Sequence, residues 1–167
     1  MHGGETPLQA IWNRCESYAK FGRPIHFTEL TVLSGEHGWN RPAPWPTTPE
    51  GEQRQADYVE KLYSLLFSHP SVEAITWWDL MDGGWQGAPA GLIRADYSPK
   101  PAYERLMKLI KGRWWTRLDL KADRTGKAVF RGFLGSYIIA VTSANGTQTQ
   151  SFDLQPGKQN LIKFIVR

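Results

Sequence analysis

The sequence contains a single cysteine, Cys15, among 167 residues. One thiol cannot form an internal disulfide, so the chain lacks the disulfide framework of many small secreted domains. Cys15 lies on the apolar face of a predicted helix, where a thiol more often fills a core than reacts. No run of about 18 apolar residues is present, so we predict no membrane-spanning helix and no membrane partner. The first residues contain neither the basic nor the apolar segment of a secretion signal.

Several ligand-binding signatures are also absent. The histidines are scattered and no cysteine pair accompanies them, which argues against a metal site. They are His2, His26, His37 and His69. No glycine-rich motif for nucleotide phosphates occurs, and Ser34-Gly35 lacks the Gly-x-Ser-x-Gly frame of a nucleophile elbow. We therefore predict neither a metal nor a cofactor.

Charge is distributed unevenly along the chain. Residues 1–110 have a net charge of −3 and residues 111–167 a net charge of +7, which together give +4. The basic residues of the second segment are spread singly along strand-like stretches, without a Lys/Arg cluster or an RNA-binding signature. Solvated strand faces explain this pattern more simply than a nucleic-acid site does, so no nucleic-acid partner is predicted.

The first two-thirds of the chain alternates helices and strands. Apolar residues recur at helical spacing after Thr6-Pro7, after Thr48-Pro49 and after Pro101, and each proline favours a helix start. Strands are predicted over Ile25–Leu30 and Val72–Asp79. Helices alternating with short apolar strands are typical of a parallel α/β fold.

The pattern changes after Gly112. Turn signals at Asp123–Gly126, Asn145-Gly146 and Pro156-Gly157 separate short apolar runs. These runs are Val129–Phe133, Tyr137–Thr142 and Leu161–Val166. We predict two domains, an α/β domain over residues 1–112 and a small antiparallel, sandwich-like all-β module over residues 113–167. A module of that size lies near the lower limit for independent stability.

Candidate functional residues follow the two predicted parallel strands. Functional side chains collect at the carboxyl ends of such strands. Glu29 ends the first strand, and the second ends in Trp77-Trp78 followed by Asp82 and Trp85. A carboxylate beside an aromatic wall suits carbohydrate chemistry, because sugar rings present apolar faces to indoles and hydroxyls to polar groups. Without further information, a structural role is the commoner one for each of these residues.

Three stretches carry a family resemblance, namely "PIHFTEL", "VEAITWWDLMDGGW" and "GLIRADYSPKPAYERL". In this order and spacing they resemble the C-terminal third of the barrel of glycoside hydrolase family 10, the β-1,4-xylanase family. The resemblance covers roughly residues 1–112. It implies a partial (β/α)8 TIM barrel, comprising about strands 7–8 with flanking helices, and a polysaccharide partner, xylan or a related β-1,4-glycan.

The resemblance also assigns roles. Glu29 matches the family's catalytic nucleophile, and Trp78 and Trp85 match residues that wall the sugar-binding sites. Trp77 and Asp82 match neighbouring positions of the same motif, so the resemblance makes them substrate-binding candidates as well. Two positions depart from the pattern, Thr31 where the family usually has Asp or Asn, and Asp79 where it has Gly.

The acid/base glutamate that the family places on its fourth strand has no counterpart here. A complete barrel needs about 250 residues, and this chain supplies two strands and three helices. We therefore expect a fragment of a retaining endo-β-1,4-xylanase-like enzyme that is inactive alone. It would require a separate N-terminal barrel portion or self-association to cover its open edges. The alternative is a non-catalytic carbohydrate-binding or structural fragment, with the basic module near acidic glucuronoxylan. The family implies an extracellular location.

Overall fold

The computed structural model describes residues 5–36, 45–157 and 160–165. The chain divides into two compact units, Met1–Lys111 and Gly112–Arg167. The first unit contains, in order, α1 (Leu8–Ala19), β1 (Ile25–Leu30), α2 (Pro49–Ser68), β2 (Val72–Trp77) and α3 (Pro101–Lys108). The described part of the second unit contains β3 (Gly135–Ser143) and β4 (Gly146–Leu154). His2, His37 and residues 41–44, the first part of a proline-rich stretch that continues to Pro46, lie outside the described residues.

The strands β1 and β2 pair in parallel, as predicted, and α2 connects them. Ile25 is paired with Val72 at one end and Leu30 with Trp77 at the other. The register shifts between Phe27 and Leu30, so the ladder is irregular at the end of β1. This βαβ arrangement brings the carboxyl ends of both strands to one edge of the sheet.

The helix α2 supplies more buried apolar residues to the core of the first unit than any other described helix or strand. Its predicted start is confirmed, because the Thr48 hydroxyl accepts a hydrogen bond from the Gly51 amide at 3.0 Å and Pro49 follows as the first helical residue. The helix ends before His69-Pro70, also as predicted. Its buried apolar residues recur at helical spacing and are Ala56, Val59, Leu62, Tyr63 and Leu66.

The helix α1 begins one residue later than the sequence suggested. Pro7 occupies the N-cap position and no side chain caps the helix, so Thr6 is not the cap. Instead, the Thr6 carbonyl oxygen accepts a hydrogen bond from the Tyr58 hydroxyl of α2. Ile11 and Cys15 are both buried, which confirms the predicted role of the thiol as core filler.

The helix α3 packs on α2 and continues into a π-helical turn at Leu109–Arg113. The Arg105 guanidinium lies 2.6 Å from Asp57 and 2.8 Å from Glu60, both on α2. Within the described residues, no helix is long and apolar enough to cross a membrane.

The second unit contains an antiparallel hairpin of β3 and β4, paired from Gly135–Leu154 to Ser143–Gly146. The rings of Phe130, Tyr137 and Phe152 form a cluster, in which Tyr137 and Phe152 stack at 5.3 Å. None of the described residues from 112 to 165 is fully buried.

Two predicted strands of the second unit differ from the structure. The stretch Val129–Phe133 and residues 161–165 have no strand structure. The second of these still lies beside β4, since the side-chain amides of Gln148 and Gln150 donate to the Ile165 and Lys163 carbonyl oxygens. One hairpin is described rather than two packed sheets, and the sandwich-like module stays a prediction.

Candidate active site

The carboxyl ends of β1 and β2 bring Glu29 and Trp78 to the same edge of the sheet. The Trp78 amide donates to the Leu30 carbonyl oxygen at 3.0 Å, which extends the contact between the strands by one residue beyond β2. Thr28 and Glu29 are both exposed where the ladder is irregular, whereas Leu30 is buried. The Glu29 carboxylate therefore lies at the solvent-facing end of β1, next to the strand that carries the tryptophan pair.

The adjacent tryptophans have different environments. Trp78 is 47% exposed and so presents part of its indole to solvent. Trp77 is partly buried, and its indole N–H donates to the Ala90 carbonyl oxygen at 3.1 Å. Its ring lies 6.4 Å from that of Tyr63 on α2. Trp78 therefore presents an indole surface to solvent, whereas Trp77 anchors β2 to the loop that follows it.

Trp85 lies in the glycine-rich loop after β2. It is half-buried and packs against a small apolar cluster formed by Leu33, Trp45, Ala88 and Ala90. The Gly83 amide donates to the Ala88 carbonyl oxygen at 2.9 Å, and the Ala88 amide donates to that of Trp85 at 2.8 Å. These bonds and the cluster give Trp85 a defined position in the loop.

The backbone of this loop is unusual at Gly83 and Gln86, which have φ values of 88° and 52°. Glycine adopts the first without strain, whereas a glutamine in the left-handed region is uncommon. A Cβ added at Gly84 would lie 2.9 Å from an Asp79 carboxylate oxygen. Asp79, one of the departures from the family pattern, therefore lies directly against the loop.

Asp82 points into the protein. One of its carboxylate oxygens, Oδ1, accepts from the Gly91 amide at 2.8 Å and from the Lys100 ammonium at 2.9 Å. Its side chain is 13% exposed. Thr31, the other departure from the family pattern, is buried below the end of β1.

Lys100 was missed by the sequence analysis, although the sequence contains a signal. It occupies the N-cap position of α3, where the positive end of the helix dipole disfavours a cation. A lysine there is expected to have a compensating partner. Asp82 is that partner, and it lies 18 residues earlier in the chain.

Both histidines of the described residues lie close to a carboxylate, and the contact of His26 is a hydrogen bond. His26 lies 2.8 Å from Glu73, and His69 lies 3.2 Å from Glu16. Across residues 5–36, 45–157 and 160–165, no cluster of three or more His, Cys, Asp or Glu residues could hold a metal ion.

Two surface depressions lie away from Glu29, Trp78 and Trp85. One, of about 620 Å³, is lined by Glu5 and by α2 between Pro49 and Lys61. The other, of about 310 Å³, lies at the amino end of β1 between Tyr18 and His26. Neither depression is lined by Glu29 or by the residues proposed to bind sugar.

Residues 1–109 match the family model for glycosyl hydrolase family 10. The chain is 36% identical over 116 residues to Anti-sigma-I factor RsgI6 of Acetivibrio thermocellus, an alignment that covers 68% of this chain and 15% of the relative. It is 26% identical over 142 residues to Endo-1,4-beta-xylanase 2 of Arabidopsis thaliana, with 85% of this chain and 12% of the relative covered. The chain thus spans less than one-fifth of the length of these curated relatives.

Solved structures show a likeness of fold. Xylanase 10B of Thermotoga petrophila, in complex with xylobiose, superposes with a TM-score of 0.54 and 24% identity. That alignment covers 68% of this chain and 35% of the xylanase. A GH10 xylanase from termite gut that contains a bacterial Ig-like domain gives a TM-score of 0.57 and 24% identity, over 66% of this chain and 27% of its own. The parallel strands and helices of the first unit correspond to part of a TIM barrel. With the match over residues 1–109, these findings show that the chain belongs to glycosyl hydrolase family 10.

Proposed function

We propose that this chain is the nucleophile-bearing part of a retaining glycoside hydrolase that acts on xylan or a related β-1,4-glycan. The observation that carries the proposal is the position of Glu29, exposed at the carboxyl end of β1 and beside the exposed Trp78. In a retaining reaction a carboxylate attacks the anomeric carbon and a second carboxyl group protonates the leaving oxygen. Glu29 is the proposed nucleophile. The general acid is proposed to come from outside this chain.

Trp78 and Trp85 are the proposed sugar-binding side chains. Indole faces stack on the apolar faces of pyranose rings. The exposed Trp78 leaves room for such contact at the strand end, and the half-buried Trp85 presents the remainder of its ring from the loop. Trp77 and Asp82 are proposed to support the site from behind, since their polar atoms are bonded to the loop that carries Trp85. A polymeric substrate outside the cell also requires an extracellular location for the whole protein, which we propose on that ground.

The two carboxyl groups of a retaining enzyme lie about 5–5.5 Å apart. Asp79 and Asp82 are the carboxylates nearest to the proposed site along the chain, but Asp82 is bonded to Lys100 and Asp79 lies against Gly84. Neither is placed as an acid for a leaving group. We therefore expect the chain by itself to bind xylo-oligosaccharides without hydrolysing them.

Hydrolysis of xylan and of an aryl β-xylobioside by the purified chain tests this proposal. We expect no turnover by the chain alone. We expect turnover when strands 1–6 of a family 10 xylanase are co-expressed with it, and Glu29→Gln should abolish that turnover. Turnover by the chain alone that survives Glu29→Gln would contradict the assignment.

A binding or regulatory role is the second candidate. It is favoured by the 36% identity to a protein named as an anti-sigma factor, which exceeds the 26% identity to the Arabidopsis xylanase. In that case the chain would bind xylo-oligosaccharide through Trp78 and Trp85 and have no catalytic use for Glu29. Binding that is unchanged by Glu29→Gln, with no turnover after co-expression, would favour this candidate.

The second unit is proposed to be a small β module appended to the barrel. Support comes from the antiparallel hairpin and from the termite-gut relative that contains an Ig-like domain. Its positive charge is proposed to hold the protein near acidic substituents of glucuronoxylan.

A further inference from the structure

Lys100 is a fully buried lysine in the first unit. Its side chain is 0% exposed, and its ammonium donates to Asp82 Oδ1 and to Ser34 Oγ, each at 2.9 Å. A third, longer bond of 3.5 Å reaches the Pro89 carbonyl oxygen. Burying an ammonium group costs free energy unless it is paired and hydrogen-bonded. Burial lowers the pKa of Lys100, while the charge of Asp82 opposes that change. The geometry therefore meets the requirement for keeping this lysine charged inside the protein.

The partners of Lys100 lie on two different loops. Ser34 follows β1 and the nucleophile position, whereas Asp82 and Pro89 belong to the loop after β2. These loops also contact each other directly, since the Ser34 amide donates to the Pro89 carbonyl oxygen at 3.0 Å and its hydroxyl donates to the same oxygen at 3.1 Å. The Ser34 hydroxyl is also 2.7 Å from that of Thr47, which precedes α2. We call Ser34, Asp82, Pro89 and Lys100 the Lys100 clamp.

The Lys100 clamp closes the base of the loop that holds Trp85. The loop begins at Asp82 and ends at Gly91. The Gly91 amide donates to Asp82 Oδ1, the same oxygen that accepts from the Lys100 ammonium. The two ends of this loop approach so closely that residue 91 has no room for a side chain, because a Cβ at Gly91 would lie 2.3 Å from the Asp82 amide nitrogen. The position of Trp85 relative to β1 is thus fixed by Lys100 through Asp82 on one side and Ser34 on the other.

We infer that Lys100 is a positioning residue for sugar binding, which sets Trp85 relative to Glu29 by joining the loops that follow β1 and β2. This inference rests on the proposed function for its sugar-binding consequence. It gives the Asp82 carboxylate an internal task, orienting the loop, in place of direct contact with a sugar. A buried ion pair can also have a purely structural role, so the test must separate loop position from overall stability.

Arg105 provides the matched control. It lies on α3, the helix that Lys100 precedes, and it forms ion pairs with Asp57 and Glu60 on α2. These contacts join two helices and do not involve the loop of Trp85. Arg105→Met therefore removes a cation that bridges two elements of the same unit without removing the Lys100 clamp.

The experiment compares Lys100→Met, Ser34→Ala and Arg105→Met in the full chain. Hydrogen exchange of the peptide 82–91 is measured without ligand, and xylohexaose affinity is measured by calorimetry at a temperature where all variants are folded. In Lys100→Met we expect loop amides to exchange at least about tenfold faster and affinity to fall at least about fivefold, because charge-assisted bonds are lost. Ser34→Ala should also speed the exchange of the loop amides and weaken xylohexaose affinity, but by a smaller factor than Lys100→Met. Arg105→Met should leave both at the wild-type value.

Unchanged loop exchange in Lys100→Met, or the same increase in Arg105→Met, would overturn the inference. If Lys100→Met does not fold, Ser34→Ala decides the question, since it removes one acceptor of the ammonium and keeps the ion pair. Absence of xylohexaose binding in the wild-type chain would count against the proposed function alone, because the ligand-free exchange of the loop still tests the Lys100 clamp.

Discussion

The two units of the chain differ in how they are stabilised. The first buries a continuous set of side chains, including every residue from Leu30 to Gly35 and the inner face of α2. The second has no fully buried residue among those described. Half-buried and exposed residues alternate along β3, whereas β4 is half-buried only at Phe152 and Leu154. Helices covering a parallel sheet create an interior, whereas a two-stranded hairpin on its own does not. The first unit is therefore expected to carry most of the free energy of unfolding as well as the proposed site.

The largest expected effect comes from removing a core side chain of the first unit. Leu66 is 0% exposed, and Leu66→Ala should lower the free energy of unfolding by about 2–5 kcal/mol, because it removes packed methyl groups and leaves a cavity. The matched change in the second unit is Leu154→Ala, at a half-buried position of β4. It should cost about 1 kcal/mol. Urea denaturation followed by near-ultraviolet circular dichroism measures both, and equal losses would remove the distinction between the units.

A smaller effect is expected at the ion pair of Glu52 and Arg94. The Glu52 side chain is 6% exposed and accepts from the Arg94 Nε–H at 2.9 Å, whereas the Arg94 side chain is 38% exposed. Glu52→Gln should lower the free energy of unfolding by about 2 kcal/mol, because the Arg94 guanidinium loses its charge partner but is still accessible to water. Glu73→Gln, in the exposed pair with His26, is the control and should change the thermal midpoint little. A similar loss in the control would show that burial does not distinguish these pairs.

Alkaline pH should destabilise the first unit through the buried Tyr63 and the half-buried Tyr58. Burial raises the pKa of Tyr63 to about 12, and burial followed by the Glu5 charge raises the pKa of Tyr58 to about 12. A tyrosine in the unfolded chain ionises near pH 10. The contribution of these tyrosines to the free energy of unfolding is therefore fully present below about pH 10 and is lost as pH rises towards 12. For Tyr63 the loss at pH 11 is about 1.4 kcal/mol. Between about pH 10 and 12 the free energy of unfolding falls with a slope set by the number of protons released on unfolding. Tyr63→Phe should reduce that number by up to one, and an unchanged slope would contradict the raised pKa of Tyr63.

The smallest expected effect concerns charge in the second unit. Residues 111–167 have a net charge of +7. Retention of the chain on glucuronoxylan should therefore be strongest at low salt and largely lost by about 0.15 M, where charges more than about 8 Å apart are screened. Lys121→Glu, Arg124→Glu and Lys127→Glu together should weaken retention. The same number of reversals in the first unit, at Arg14, Lys20 and Lys61, is the control. Equal weakening by both sets would show that the second unit has no special role.

The sequence predicted the elements of the first unit well where the signals are local. The strand Ile25–Leu30 and the start of α2 at Pro49 agree with the structure, because apolar spacing and a threonine cap act within a few residues. The strand β4 was missed, since Gly146–Gln150 is polar and shows no apolar alternation. Its pairing is imposed by the hairpin with β3 and not by its own composition.

In the candidate site, too, local sequence signals were informative and contacts between distant residues were not. Glu29 and Trp78 could be nominated because the ends of parallel strands meet at one edge. The bond between Asp82 and Lys100 could not be derived, because residues 18 positions apart are brought together by the fold. The different environments of Trp77 and Trp78 likewise depend on contacts of Trp77 with Tyr63 and Ala90. Both residues are distant from Trp77 in the sequence, so these contacts could not be derived from it.

The central claim is that Glu29 is a nucleophile without its acid partner in this chain. A 2-deoxy-2-fluoro-β-xylobioside with a 2,4-dinitrophenolate leaving group isolates that half of the chemistry. The carboxylate attacks the anomeric carbon, the carbon–oxygen bond breaks, and dinitrophenolate departs without being protonated. We predict a covalent fluoroxylobiosyl adduct on Glu29, located by peptide mass spectrometry and absent in Glu29→Gln. An adduct on another residue, or no adduct in a chain that binds xylohexaose, would contradict the account.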